Sequence, residues 1–237
     1  RLEIDYTERQ WVGVLGVFSK GRSVPELKIR TGLVRSRIGN SAEILRYLWG
    51  AYAAGPGDKA RFLEPTLERL ALEKKLDRYG RDLQVWVYYH ILDNRELSQH
   101  AWGCSSPSIP AWQRYLVIAT YPLLRVLLRK AFNIDDDHYA KCVEHIETML
   151  SEIDALLADG RVSILGDASI NYVDITFASF SALWLQPPEF ALEKADAVRF
   201  DRQRAPAAMR ADIERWIEAW PRASGFVTAL YQSERKC

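Results

Sequence analysis

Apolar positions fall into two regimes along the chain. From residue 62 to about 97 they recur at 63, 67, 70, 76, 83, 87 and 91, close to the helical period. "GCSSPSIP", with one Gly and two Pro, ends that run. The pattern then predicts helices over 111–132, kinked at Pro122, over 135–157, and over 171–185, the most apolar of the set. Two more, at about 207–219 and 222–235, close the chain. The irregular stretches "ADGRVSILGDAS" and "QPPEF" separate them.

The first fifty residues read differently. "LEIDYTERQW" alternates and carries β-formers, which predicts a strand. "WVGVLGVFSKGRS", with three glycines, has no clear period. "VPELKI" and "LVRSRI" predict a hairpin joined by "RTG", with Gly where positive φ is needed. A helix follows from Ser41 to about Tyr52, and Gly-Pro-Gly in "AAGPGDK" marks a linker. The expected fold class is α+β, mostly α: an N-terminal part over 1–53, a linker over 54–60 and an all-α domain over 61–237.

The stretch "GNSAEILRYLWGAY" carries candidate chemistry. Asn40 and Ser41 are both good N-cap residues. Glu43 falls in the first turn, where the helix dipole favours a negative charge. Ile44, Leu45, Leu48 and Trp49 then form an apolar stripe. Such a helix start can simply end a loop, and it can also hold a carboxylate or phosphate on its N–H groups.

Composition narrows the partners. With 32 basic and 31 acidic side chains the formal net charge is +1, so no electrostatic case for nucleic acid arises. The runs "YLVIATYPLL" and "DITFASFSALWL" fall short of the roughly 20 residues a spanning helix needs. Cys104, Cys142 and Cys237 are few, odd in number and far apart, which points to a reducing, intracellular setting, cytoplasm or organelle interior, and not to secretion. "RLEIDYTERQ" has no signal-peptide pattern, and an opening Arg1 reads as a processed or trimmed start.

Other clusters have bland readings. His138, Cys142 and His145 share one helix at metal-ligand spacing, but they also form the edge of a core stripe, and no metal is expected. Trp86, Tyr88, Tyr89, Trp102, Trp112 and Tyr115 could line a pocket for an apolar molecule or fill the core. Lys20 and Arg22 could meet a carboxylate or sit in a solvated loop. Nothing marks Cys104 as activated.

Four signatures, in order, resemble the cytosolic glutathione S-transferase family: "SVPEL", "GNSAEILRYL", "ILGDASINYVDITFA" and the tail "WPRASGFVTALYQSER". The resemblance covers residue 2 to the C-terminus. It implies a partial thioredoxin-like part followed by an all-α domain, with the family's first strand and helix absent ahead of Arg1. It implies glutathione as substrate, with Ser41 on the γ-glutamyl carboxylate, Val24 pairing its main chain with the cysteinyl part, and Pro25 in a cis peptide. Asn40 stands where the family has an acid, so it hydrogen-bonds the ligand without attracting its ammonium. Asn171 and Asp174 match the family's helix-capping box, a folding device. The catalytic Ser, Tyr or Cys has no match, so the catalytic residue stays unassigned. Implied partners are an apolar electrophile and a homodimer mate or larger assembly. The alternative is a non-catalytic scaffold subunit on the same fold.

Overall fold

The computed structural model describes residues 2–9, 12, 14–15, 25–55, 58–191, 199 and 202–235. It is mostly helical, with one small antiparallel sheet near the N-terminus. Strands β1 (Glu26–Thr31) and β2 (Val34–Gly39) pair from Glu26↔Gly39 to Thr31↔Val34. The connection is therefore two residues, Gly32–Leu33, and not the three of "RTG". Gly32, at φ 60, takes the positive φ that a type II′ turn requires at its first position.

"LEIDYTERQ" forms no strand over residues 2–9. Alternation supplies a face but not a partner, and Glu3 at φ 53 breaks the extended run. Helix α1 (Ser41–Tyr52), the first whose bounds lie among the described residues, has the predicted bounds, and Asn40 is its cap residue.

The predicted helix over 62–97 is three pieces. Residues 61–63 form a 3-10 turn, and Thr66 then caps α2 (Leu67–Ile91) by accepting the Arg69 N–H. Asn94 stops the run and caps α3 (Arg95–Ala101), with its Oδ1 3.1 Å from the Leu97 nitrogen. A side-chain cap of this kind competes with continued helix. Next come α4 (Ala111–Ala131) and α5 (Asp136–Leu156). Pro122 lies inside α4 without ending it. Proline cannot donate to the carbonyl four residues back. The Arg95 guanidinium donates to that Ile118 carbonyl instead, at 2.8 Å.

The last three helices are α6 (Tyr172–Leu185), α7 (Ala207–Ala219) and α8 (Pro221–Glu234). Helix α6 is buried on most of its faces: Tyr172, Val173, Phe177, Ala178, Ala182, Trp184 and Leu185 all join the core or lie within it. Around it pack α2, α5, α7 and α8. A second, smaller core joins the inner face of α4 to Val12, Val14, Leu92 and Trp102.

The start of α6 is a capping box. Asn171 Oδ1 accepts the Val173 and Asp174 N–H groups, and Asp174 Oδ2 accepts the Asn171 N–H at 2.8 Å. Asp174 does more, because its Oδ1 also accepts the Ile164 N–H at 2.8 Å. The Asn171 amide donates to Ser163 and Asp167, and Asp167 in turn binds Arg69 of α2. Burial raises the Asp174 carboxyl's pKa, against the pull of those N–H donors.

Truncating Asp174 to Ala leaves two N–H groups in a site closed to water. Each unsatisfied buried donor costs about 1–3 kcal/mol. Urea unfolding should show a loss of about 3 kcal/mol for Asp174→Ala and a similar loss for Asn171→Ala, whose Oδ1 likewise serves two buried N–H groups.

Candidate functional site

The end of the hairpin and the start of α1 form one corner. The Asn40 N–H donates to the Pro25 carbonyl at 3.2 Å, extending the strand pairing by one step. Asn40 then turns at φ 73, ψ 132, a conformation costing a non-glycine residue about 1–3 kcal/mol. Its Oδ1 accepts the Ala42 N–H at 3.1 Å, and its carbonyl accepts the Ile44 N–H. Helix geometry leaves the Ser41 and Glu43 N–H groups with no intrahelical acceptor. Ser41 and Glu43 are exposed.

The structure thus brings together Pro25, Asn40 and Ser41 from two separate sequence motifs. Val24, Lys20 and Arg22 lie outside the described residues, and so does the Val24–Pro25 peptide. Asn40 differs from the expected contact in one respect: its side-chain oxygen is already committed to the cap.

The hairpin and α1 also contribute Leu27 and Leu48 to an open groove of about 710 Å³, whose lining includes none of Pro25, Asn40 and Ser41. Its apolar lining comes from Leu2, Ile4, Tyr6, Leu27, Leu48 and Phe62 together with Ile175, Ala178, Leu230 and Tyr231. Leu27 shares a strand face with Pro25, since alternate residues point the same way. Leu48 lies two turns along α1 from Ser41, on the same helical face. Polar groups at the groove are few: Glu3, Ser179, Glu234, Arg235 and the Tyr hydroxyls.

One partly buried ion pair ties the corner to the helices. Arg46 of α1 pairs with Glu73 of α2, and Tyr172 of α6 donates to the same Glu73 oxygen at 2.7 Å. The Arg46 guanidinium also stacks over the Tyr172 ring, 5.1 Å from its centroid. Burial and the Glu73 charge push the Tyr172 hydroxyl up to about 12, so it stays a donor at ordinary pH.

The aromatic set does not form one pocket. Tyr88 and Trp102 line a smaller apolar cavity of about 280 Å³, with Leu183, Phe190 and Met209. Trp86 is core, and Tyr89 stacks on Tyr139 with ring centroids 3.9 Å apart. Trp112 and Tyr115 are exposed on α4. Of His138, Cys142 and His145, the first two meet, with Cys142 Sγ 3.7 Å from His138 Nε2, while His145 is turned to other partners. His145 sits beside Arg78 and Asp82, and Cys142 is buried, its thiol pushed up to about 12 by burial and Asp82. Among the described residues no group of His, Cys, Asp and Glu is placed to hold a metal ion. No described helix is long and apolar enough to cross a membrane.

A polar hub between α2, α5 and α7 escaped the sequence reading. Asp212 Oδ2 accepts Trp86 Nε1 at 2.9 Å and the Tyr139 hydroxyl at 2.8 Å, with His90 Nε2 at 3.5 Å. Arg215 pairs with its other oxygen at 2.9 Å. Burial alone would raise this carboxyl, but the His90, Trp86 and Tyr139 hydrogen bonds outweigh it and hold its pKa well below the ordinary value. The available signal was an Asp beside the apolar stripe of Met209, Ile213 and Trp216. With its His side chain only 3% exposed, the hub is closed to substrate and acts in folding.

No family model, curated protein or solved structure compared with the chain matches it. The glutathione-transferase resemblance therefore rests on the sequence signatures.

Two tests follow from these environments. A carboxyl with a depressed folded pKa adds stability above its unfolded pKa, and that stability is lost as pH falls toward the folded value. Asp212→Ala should cost about 3 kcal/mol at pH 7 and flatten the acid-side loss below about pH 4, read by urea titrations across pH. Burial raises both thiols, Cys104 and Cys142. Iodoacetamide at pH 8 should leave both unmodified in the folded protein and label both in urea, read by peptide mass spectrometry.

Proposed function

We propose that this chain is a glutathione-transferase-like protein: a partial thioredoxin-like part to about residue 53, then an all-α domain, with glutathione held at the corner and an apolar molecule in the groove. Ser41 and the start of α1 take the γ-glutamyl carboxylate. Glu43, on the same first turn, takes the ammonium in place of the neutral Asn40. Val24 and Pro25 lie along the cysteinyl main chain. The observation that carries this reading is the Asn40–Pro25 hydrogen bond, which joins two separately recognised motifs into one corner, on the same hairpin and helix that send Leu27 and Leu48 into an apolar groove.

Conjugation would need the bound thiol as thiolate, which attacks the electrophile. With an aryl halide the attack falls on the halogen-bearing carbon, so that the C–S bond forms as the C–halogen bond breaks and halide ion leaves. Lowering a thiol pKa by two units takes about 2.7 kcal/mol. The reading assigns no residue to that task, so binding is expected to exceed catalysis. The second reading, a non-catalytic scaffold subunit, is favoured by the commitment of the Asn40 oxygen to its own helix.

Calorimetry and an aryl-halide assay separate the two. Glutathione should bind with Kd of about 1 mM, weakened several-fold by Ser41→Ala. S-hexylglutathione should bind at least tenfold tighter, because each buried methylene adds about 0.8 kcal/mol. Conjugation should run near the solution rate. No binding of either ligand would overturn the glutathione reading. Turnover far above background, lost in Ser41→Ala, would overturn the scaffold reading.

A further inference from the structure

The smaller cavity of about 280 Å³ lies within the all-α part, between α2, α3, α6 and α7. It shares no lining residue with the groove. Ile91, Trp102 and Met209 are buried in its walls, and the exposed Gln84 marks its mouth. Among the described residues no charged side chain lines it. Two lining side chains nevertheless carry a buried polar atom without a partner: Trp102, through its indole N–H, and Gln186, through its amide oxygen. Trp102 is only 5% exposed. Burial raises the pKa of the Tyr88 hydroxyl, and the Trp102 N–H near it offsets part of that rise, yet the two stay outside hydrogen-bond geometry. Gln186 ends α6 at φ 45, a backbone conformation uncommon for a residue other than glycine.

Folded proteins leave few buried polar groups unsatisfied, because each one costs stability. A donor and an acceptor left open on one apolar cavity are the complement of a hydroxyl, whose oxygen accepts and whose hydrogen donates. We propose that this cavity binds a small neutral molecule of two fused rings carrying one hydroxyl, which accepts the Trp102 N–H and donates to Gln186 Oε1. The volume sets the number of rings. An apolar cavity of about 150 Å³ takes benzene, and this one is nearly twice that size. The walls set the charge. An ion among them would lose its hydration and gain no counter-charge.

The competing occupant is ordered water, which can also satisfy one donor and one acceptor. Each buried water needs about two to four polar partners. Val87, Ile91, Leu183, Phe190 and Met209 offer none from their side chains, so water held at Trp102 and Gln186 would leave most of the cavity wall without a partner. A ring system covers that apolar wall as well, and burying it drives binding. The same walls exclude glutathione, which carries charge at both ends, so this site is independent of the corner at Ser41.

Calorimetry of the whole chain with 2-naphthol and with naphthalene tests this. 2-Naphthol should bind with Kd on the order of tens of micromolar, the range for a ligand of this size. Trp102→Phe keeps an aromatic ring and removes the N–H. It should weaken 2-naphthol about tenfold and change naphthalene, which makes no hydrogen bond, by less than about twofold. Gln186→Met should act in the same way. Saturating S-hexylglutathione should leave 2-naphthol binding unchanged. Absence of 2-naphthol binding to the wild-type chain would overturn the proposal. Equal weakening of both ligands in Trp102→Phe would reduce the residue to packing and overturn it too, as would undiminished 2-naphthol binding in both variants. Displacement of 2-naphthol by S-hexylglutathione would place it in the groove and refute the separate site, while leaving the glutathione reading intact.

Discussion

The carboxylate of Asp174 is the contact on which the helical core depends. Helix α6 is buried along most of its length, so its first turn cannot send its N–H groups to water. A buried helix end without partners is costly. Asp174 answers the Asn171 N–H and, from the same carboxylate, the Ile164 N–H of the connector before it. It thereby sets where the connector over 160–171 ends and α6 begins. Burial disfavours its charge and raises its pKa, and the two backbone donors offset only part of that cost.

From that anchor the site follows. Arg69 of α2 reaches Asp167, and Asp167 holds the Asn171 amide, so α2 and α6 share one polar joint. Tyr172, the first residue of α6, is thereby placed to donate to Glu73, and Glu73 receives Arg46 from α1. The chain of contacts runs from the core cap to the helix that carries Ser41. Leu48 and Leu27 line the same groove as Ile175 and Ala178 of α6. A shift of α6 by a fraction of a turn would alter the Arg46–Glu73–Tyr172 joint and the groove together.

The sequence carried the local features well. The start of α1 was visible because the cap, the acidic first turn and the apolar stripe lie within a dozen residues. The α6 box was visible for the same reason. What was not visible depends on distant partners. Helix α8 begins at Pro221 without a local side-chain cap, and Asp154 of α5 supplies it by accepting the Arg222 and Ala223 N–H groups from 68 and 69 residues away. Helix α4 is expected to run through Pro122, but no local signal shows that Arg95, on another helix, takes the orphaned Ile118 carbonyl. "LEIDYTERQ" alternates like a strand, but strand formation needs a neighbour that alternation does not specify. The aromatic residues share a composition but not a place: their spacing says nothing about whether a ring meets the core, as at Trp86, or solvent, as at Tyr115.

Native-state hydrogen exchange measures the central contact directly. If Asp174 fixes the start of α6, the Ile164 and Asn171 amides open only with global unfolding. Both should then fall in the slowest-exchanging class, with an opening free energy equal to that from urea unfolding, although Ile164 lies in an irregular connector. Exchange of Ile164 and Asn171 at the rate of their exposed neighbours, while the centre of α6 stays protected, would contradict the account.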